Sequence, residues 1–196
     1  MKIIGLTGSI GMGKSTAAML LQHRLRLPLF DADKTAHFLT QPKIGKAIKP
    51  IKRAFPDCVE NGMMDRKKLA KRIFQDEKAK KRLENILHPM IAQERQRFIH
   101  RQRVLGQKLV ILDIPLLYEA RLDKYCDKVI CVYCSSWLQQ NRVMQRTHMN
   151  LSLFRAIKAK QMPSHIKQIK ADYCVHSGLG IAATMQGLTA IIKPML

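Results

Sequence analysis

Short runs of aliphatic residues alternate along the chain with longer segments in which apolar residues recur every three or four positions. The runs are predicted strands, and they occupy residues 2–6, 28–31, 109–114, 129–133 and 173–176. The segments between them have the periodicity of helices that bury one face. Strands that alternate with helices usually form a parallel sheet covered on both faces. The pattern therefore predicts an α/β fold with a five-stranded parallel sheet flanked by helices.

The gap between the second and third predicted strands is unusually long. Residues 34–107 read as helices throughout, because apolar residues recur at helical spacing among Lys and Arg, at Leu69, Ile73, Leu83, Leu87, Ile91 and Phe98. Proline cannot continue a helix without losing a hydrogen bond, so Pro89 predicts a break, with one helix ending near Leu87. We expect a single domain. Its core would be formed by about 1–33, 106–135 and 171–196, and about 34–105 would be a helical insertion in it.

Composition limits the class of protein. A chain of 196 residues with 46% hydrophobic content can bury one sizeable core but is short for two ordinary domains. No apolar run reaches the roughly 20 residues of a membrane span, and no export segment precedes the first strand, so we expect a cytoplasmic protein. Five cysteines form no regular frame and are expected to be reduced, and the single CxxC at Cys131 and Cys134 is a weak metal signal.

The net charge of +21 makes polyanionic partners plausible. Nucleic acid, a membrane surface and phosphate-bearing small molecules all fit, and for most individual lysines a solvated basic surface is an equally good explanation. Aromatic residues make up only 6% of the chain and are not interleaved with the basic ones, which argues against single-stranded nucleic acid as the main ligand. Charge alone does not choose among the other partners.

A phosphate-binding loop is the clearest motif. The pattern GxxxxGK[ST] follows the first predicted strand and precedes an amphipathic helical segment, and its candidate ligand-binding residues are Gly8, Gly11, Met12, Gly13, Lys14, Ser15 and Thr16. Glycines let backbone amides turn toward phosphate oxygens, and the helix N-terminus adds partial positive charge. Lys14 would place a cation near the β- and γ-phosphates of ATP, and Ser15 would offer its hydroxyl to Mg²⁺.

Two further segments suggest which P-loop class this is. The DxxG and [NT]KxD motifs of switch GTPases are absent from the sequence, whereas a small kinase needs an acceptor pocket and a basic lid that excludes water. We expect the lid at about 136–170. Arg142 and Arg146 lie there at i, i+4 spacing, which would put both on one helix face to stabilise the transferring phosphoryl group or to stack on adenine. An exposed basic face is the alternative.

Asp31 and Asp33 follow the second predicted strand. In open parallel sheets ligands bind at the carboxyl ends of the strands, and residues two apart in an extended segment point the same way. One carboxylate could orient or deprotonate an attacking hydroxyl. Capping of the next helix by one of them is an equally good interpretation, and the two roles are compatible.

Together these motifs resemble the bacterial dephospho-CoA kinases. The resemblance spans nearly the whole chain and rests on the strings LTGSIGMGKST, LFDADKTAH, RKKLAKRIF, LHPMI, DIPLLYE, QQNRVMQR, KAKQMP and KADYCV, in that order. It implies a P-loop kinase fold and transfer of the ATP γ-phosphoryl group to the ribose 3′-hydroxyl of dephospho-CoA, the last step of coenzyme A biosynthesis. The small-molecule partner implied is dephospho-CoA, with ATP and Mg²⁺ as cosubstrate and metal.

The resemblance also implies roles for single residues. Asp33 matches the family's general base, Gly11 to Thr16 match the ATP phosphate loop, and Arg146 is the first candidate among the lid arginines. Residues that match positions near the acceptor are His37, His88, Tyr118 and Glu119. Each histidine has a structural alternative, His37 as a surface residue and His88 as a hydrogen-bonding residue at a helix junction. Asp113 ends the third strand, where P-loop enzymes often direct a carboxylate toward Mg²⁺ through water.

The sequence departs from the family near the adenine site. Where the family commonly reads ADxVIDN, residues 171–177 end in His176–Ser177 in place of Asp-Asn, so any side-chain hydrogen bond that the family's Asn makes must come from another group here.

Two other functions fit parts of the sequence. One is a small P-loop kinase that acts on a nucleotide or a nucleic-acid end, and the other is a non-enzymatic nucleic-acid-binding protein in which the P-loop only gates affinity. For a dephospho-CoA kinase, we expect nucleic acid to be at most a secondary, nonspecific partner.

Overall fold

The computed structural model describes residues 1–41, 44–60 and 62–196. Two compact units divide the chain: a sheet unit, Met1–Phe30 with Gln102–Leu196, and a helical unit, Asp31–Arg101. The strands are β1 (Lys2–Thr7), β2 (Leu29–Asp31), β3 (Val59–Glu60), β4 (Met63–Met64), β5 (Leu109–Asp113), β6 (Lys128–Tyr133) and β7 (Tyr173–His176). The helices are α1 (Lys14–Met19), α2 (Ala32–Leu39), α3 (Ile48–Ala54), α4 (Arg66–Gln75), α5 (Glu77–Val104), α6 (Ser136–Met144), α7 (Leu151–Ala159), α8 (Ser164–Lys170) and α9 (Ile181–Ile192).

Five strands form one parallel sheet in the order β2-β5-β1-β6-β7, which confirms the predicted fold class. β1 lies at its centre, with Leu6 in register with Asp113 of β5 and Ile130 of β6. The carboxyl ends of β1 and β5 therefore meet at one edge of the sheet. Within the described residues no helix is both long and apolar enough to cross a membrane.

One face of the sheet packs on α1 and α9. Ile4 and Leu6 of β1 point into this core, together with Leu21 from the π-helical turn after α1 and Leu188 from α9. Gly5, between the two β1 side chains, faces the other way, and a Cβ there would lie 2.9 Å from both Leu117 and Cys126. The alternation follows from the pleat of a strand whose two faces are both covered.

The helical unit has its own core, in which Leu39, Ile51, Phe55, Leu69 and Leu83 are all buried. The prediction that this region is helical throughout is wrong at β3 and β4. These strands form an antiparallel hairpin in which Val59 pairs with Met64 and both are buried. Gly62 lies between the strands with φ 75°, a conformation that favours glycine. The Asn61–Gly62 dipeptide is a strong hairpin signal that the helical interpretation overlooked.

The predicted helix break at Pro89 is also wrong, since α5 runs without interruption from Glu77 to Val104. Proline removes one backbone hydrogen bond and crowds the preceding turn. Packing on both sides of the proline outweighs this loss: Leu83 is buried in the core of the helical unit, and Leu87, Met90 and Ile91 pack against it. The helix therefore continues through a residue that would end an isolated one.

A buried ion pair connects the segment after β5 with α8 in the sheet unit. Nζ of Lys167 lies 2.8 Å from Oε1 of Glu119 and donates a 3.1 Å hydrogen bond to the carbonyl of Pro115. The Lys167 side chain is 0% exposed and that of Glu119 only 19%. The same carboxylate oxygen accepts the amide of Met162 at 2.8 Å. A lysine is stable at such a depth only with these partners.

Replacing Glu119 with Gln should destabilise the protein strongly, because it leaves the Lys167 ammonium buried without its counter-ion. We expect the free energy of unfolding, measured in urea, to fall by about 3–5 kcal/mol. Lys128→Gln is the matched control, since it breaks an exposed ion pair with Asp172, and it should cost far less. Equal losses in the two variants would show that the buried pair contributes no more than a surface one.

Candidate active site

The phosphate loop runs from the end of β1 to the start of α1, and its glycines are required by its geometry. Gly11 and Gly13 have φ of 76° and 84°, in the left-handed region that other residues rarely adopt. A Cβ on Gly8 would lie 2.7 Å from the carbonyl oxygen of Val132 on β6. The motif thus folds into a tight loop against the edge of the sheet.

The first turn of α1 presents free backbone donors. Gly13 is the N-cap and supplies no side-chain hydrogen bond, and the amide of Ala17 is the first to bond back to it, at 3.1 Å. The amides of Lys14, Ser15 and Thr16 therefore have no acceptor within the helix. Free amides and the positive end of the helix dipole together form an anion site suited to phosphate.

Lys14 is held at the carboxyl edge of the sheet by Asp113. Its Nζ donates to Oδ1 of Asp113 at 2.6 Å, and the two side chains are 14% and 4% exposed. The contact follows from the parallel register, which places the last residue of β5 beside the end of β1. Ser15, one residue further on, is exposed, so its hydroxyl is accessible to a ligand.

Two glutamines hold the loop at Ile10. Nε2 of Gln139, on α6, donates to the Ile10 carbonyl at 2.7 Å, and Oε1 of Gln161, which precedes α8, accepts the Ile10 amide at 3.0 Å. Gln139 is buried although it is polar. Neither residue was predicted to be part of the site. Both occur in strings that carry the family resemblance, which is the one signal that could have pointed to them.

A third contact holds the other side of the loop. Ser177, directly after β7, donates its hydroxyl hydrogen to the carbonyl of Met12 at 2.8 Å. Arg142 of α6 donates from Nη1 to the same hydroxyl and from Nη2 to the Ser177 carbonyl, both at 2.9 Å. The departure from the family pattern at residue 177 therefore places a hydroxyl in contact with the phosphate loop.

The structure separates the two lid arginines. Arg142 is half-buried on α6, but that helix ends at Met144, so Arg146 lies beyond it and not on the same helix face as predicted. The Arg146 amide bonds to the Val143 carbonyl in a turn at 3.1 Å, which ends the helical spacing. Its side chain is exposed, and within the described part of the chain it makes no hydrogen bond or ion pair.

Tyr118 and Glu119 lie in the segment after β5. Glu119 makes the buried ion pair described above, and Tyr118 is 7% exposed. Burial raises the pKa of the Tyr118 phenol above its usual value. Its hydroxyl and Oε2 of Glu119 are buried without a hydrogen-bond partner among the described residues. These two atoms could still bind a ligand or an ordered water.

The CxxC cysteines are buried in the sheet unit. Cys131 is 0% exposed on β6, and Cys134 follows the strand at 6%. Burial raises the pKa of the Cys131 thiol to about 12 and also raises that of Cys134. Such thiols are poor nucleophiles at neutral pH. The described residues contain no cluster of three His, Cys, Asp or Glu side chains that could hold a metal ion.

The remaining candidates lie in the helical unit. α2 begins at Ala32, so the prediction of an extended segment that carries both aspartates is wrong, and the alternative of a cap is confirmed for Asp31, whose carboxylate accepts the Lys34 amide at 2.9 Å. Asp33 is exposed in the first turn of α2. His37 is exposed, with Nδ1 2.9 Å from Nη1 of Arg66.

His88 is exposed in the middle of α5. The helix junction at which a structural role was expected does not exist, because α5 is continuous there. The exposed imidazole of His88 can contact a ligand, and α5 does not need this side chain for its own stability.

Comparison with known proteins identifies the family. The dephospho-CoA kinase family model matches residues 2–182. A protein of Bartonella quintana named dephospho-CoA kinase is 41% identical over 100% of this chain and 99% of its own length. The solved structure of TT1252 from Thermus thermophilus matches with a TM-score of 0.84 and 30% identity, over 100% of this chain and 98% of that one.

A solved dephospho-CoA kinase from Campylobacter jejuni has a TM-score of 0.74 and 26% identity, and the match covers 98% of this chain and 96% of that one. The residues that the family model matches include the phosphate loop and all five strands of the parallel sheet. The chain therefore belongs to the dephospho-CoA kinase family, whose members catalyse the final step of coenzyme A biosynthesis using ATP.

Proposed function

We propose that this chain transfers the γ-phosphoryl group of ATP to the ribose 3′-hydroxyl of dephospho-CoA, giving CoA and ADP. The observation that carries the proposal is the phosphate loop, with free first-turn amides and Lys14 held beside it by Asp113. The acceptor is inferred from relatives named dephospho-CoA kinase that match over the full chain.

The loop binds and stabilises the nucleotide phosphates. Backbone amides at the start of α1 would donate to phosphate oxygens, with Gly8, Gly11, Met12, Gly13 and Thr16 shaping the cradle. The Lys14 ammonium would stabilise the charge that develops on the phosphoryl oxygens during transfer. Its pairing with Asp113 keeps the ammonium directed at this edge of the sheet before the nucleotide arrives.

The donor set near the loop suits Mg²⁺. The exposed hydroxyl of Ser15 would coordinate it directly and the carboxylate of Asp113 through water, since Mg²⁺ prefers oxygen ligands and retains several waters. When bound, the ion would neutralise charge on the β- and γ-phosphates.

The helical unit would supply the acceptor side of the reaction. Asp33, exposed in the first turn of α2, would orient the ribose hydroxyl and accept its proton as transfer proceeds. Asp31, His37 and His88 would bind the acceptor from the same unit. Tyr118 and Glu119 of the sheet unit are further candidate acceptor contacts, supported by the Tyr118 hydroxyl and Oε2 of Glu119, which are buried without a hydrogen-bond partner among the described residues.

Of the region about 136–170 expected to be a lid, Gln139, Gln161 and Lys167 are held by contacts with the rest of the sheet unit. The part between the two glutamines would therefore act as the lid. Arg142 would contact ATP from its position beside Gly13, and Arg146 would reach the transferring phosphoryl group when the lid closes and excludes water.

We further propose a cytoplasmic location. The support is that five cysteines in the described residues are free, and a reducing compartment keeps cysteines in this state.

Turnover should depend on dephospho-CoA. Purified protein with MgATP is expected to form ADP only when dephospho-CoA is added, with CoA identified by mass. Lys14→Ala removes the cation at the phosphates and should lower kcat/KM by at least ~10²-fold. Asp33→Asn removes the base and should lower kcat by about 10²–10⁴-fold.

Asp57→Asn is the control for the second variant, since Asp57 is another exposed aspartate of the helical unit. It should retain wild-type kcat. Well-folded wild-type protein that forms no CoA would overturn the proposed reaction, and nucleotides and nucleic-acid ends would be the next acceptors to assay. A fully active Asp33→Asn variant would overturn only the role of the base.

Arg146→Ala should reduce kcat by about 10²-fold, the usual cost of losing one charged group at a developing negative charge. The melting temperature should not change, because the Arg146 side chain has no polar partner among the described residues. Arg155→Ala, at an exposed arginine of α7, should leave kcat unaltered. If both variants lost activity alike, general surface charge would be the explanation rather than a lid arginine.

A further inference from the structure

Ser177 lies at the point where the sheet, α6 and the phosphate loop meet. It is 5% exposed, and its amide donates to the Tyr133 carbonyl at 2.8 Å, which ties it to the end of β6. Its hydroxyl has two partners at once: it donates to the carbonyl of Met12 and accepts from Nη1 of Arg142. One oxygen atom therefore connects the loop to α6.

The Ser177 hydroxyl also packs against Gly13, the residue directly before α1. A Cβ built on Gly13, the N-cap, would lie 2.6 Å from Oγ of Ser177 and 3.3 Å from Nη1 of Arg142. The serine hydroxyl and the guanidinium thus pack directly against the backbone that leads into Lys14. A displacement of Met12 or Gly13 would move the first-turn amides with it.

Arg142 depends on the same serine for its position. Its two terminal nitrogens both bond to Ser177, one to the hydroxyl and one to the carbonyl, at 2.9 Å each. Two parallel bonds fix the plane of a guanidinium, whereas one bond leaves it free to rotate. Removal of the hydroxyl alone would leave the arginine one bond to this residue, at the carbonyl, and would remove the donor to the Met12 carbonyl.

We propose that Ser177 is a positioning residue of the nucleotide site, whose hydroxyl fixes the phosphate loop at Met12 and Gly13 and orients Arg142 beside it. The inference deepens the proposed function and rests on ATP being the ligand of this loop. It assigns the serine no contact with the reacting atoms. Its effect on binding is transmitted through the loop backbone and the guanidinium.

The test is the dissociation constant for ATP, measured by calorimetry without acceptor, in two variants at this position. Ser177→Ala should raise Kd about tenfold, which is ~1.4 kcal/mol. Ser177→Thr keeps the hydroxyl and should stay close to wild type. Thr184→Val is the matched control, because Thr184 is 2% exposed and its hydroxyl donates to the Gly180 carbonyl at 2.7 Å, away from the loop. This control should lower the melting temperature without changing Kd.

A double-mutant cycle with Arg142→Met tests whether the two residues act as one unit. The double variant should bind ATP no more weakly than the weaker of the two single variants. ATP binding by Ser177→Ala at the wild-type Kd would overturn the proposal, and so would equal weakening in Ser177→Ala and Thr184→Val, which would reduce the effect to lost stability. Failure of the wild type to phosphorylate dephospho-CoA would overturn the proposed function and leave this binding test intact.

Discussion

A loop that binds phosphate through its amides cannot use those amides to hold itself in shape. The first turn of α1 leaves Lys14, Ser15 and Thr16 without helical acceptors, so the loop must be stabilised through its other backbone groups. Its surroundings supply these contacts. Gln139 and Gln161 bind the two polar groups of Ile10, and other side chains hold the loop further along.

This requirement explains why distant parts of the sheet unit converge on a few residues. β5 provides the carboxylate that holds Lys14, α6 provides a glutamine and an arginine, and β7 leads into Ser177. Glu119, which is paired with the buried Lys167, also accepts a hydrogen bond from the amide of Met162. This bond fixes the backbone next to Gln161, the glutamine that binds Ile10. Charged and polar groups are buried here because each has a specific partner.

The sequence predicted what is encoded locally. All five sheet strands and the phosphate loop follow from hydrophobic runs and from a motif whose residues lie side by side. Pro89 and Arg146 show the limits of the same reasoning, because tertiary packing carries α5 through the proline and a turn ends α6 before the arginine. Gln161 and Ser177 were not predicted as loop contacts, since hydrophobic periodicity and local propensity do not indicate that they meet residues 151 and 165 positions earlier. The roles of Asp33, His37 and His88 stay predictions.

The central claim is that the loop has its binding conformation before any nucleotide binds. Some of its amides are already hydrogen-bonded within the protein, and others are left free for phosphate. Amide hydrogen exchange measured residue by residue, with and without MgADP, tests it most directly. The account predicts that Ile10 and Met12, which bond to Gln161 and Ser9, are protected in both states, whereas Lys14, Ser15 and Thr16 exchange rapidly until the nucleotide is added. Protection of these three amides in the free protein, or rapid exchange with MgADP bound, would contradict it.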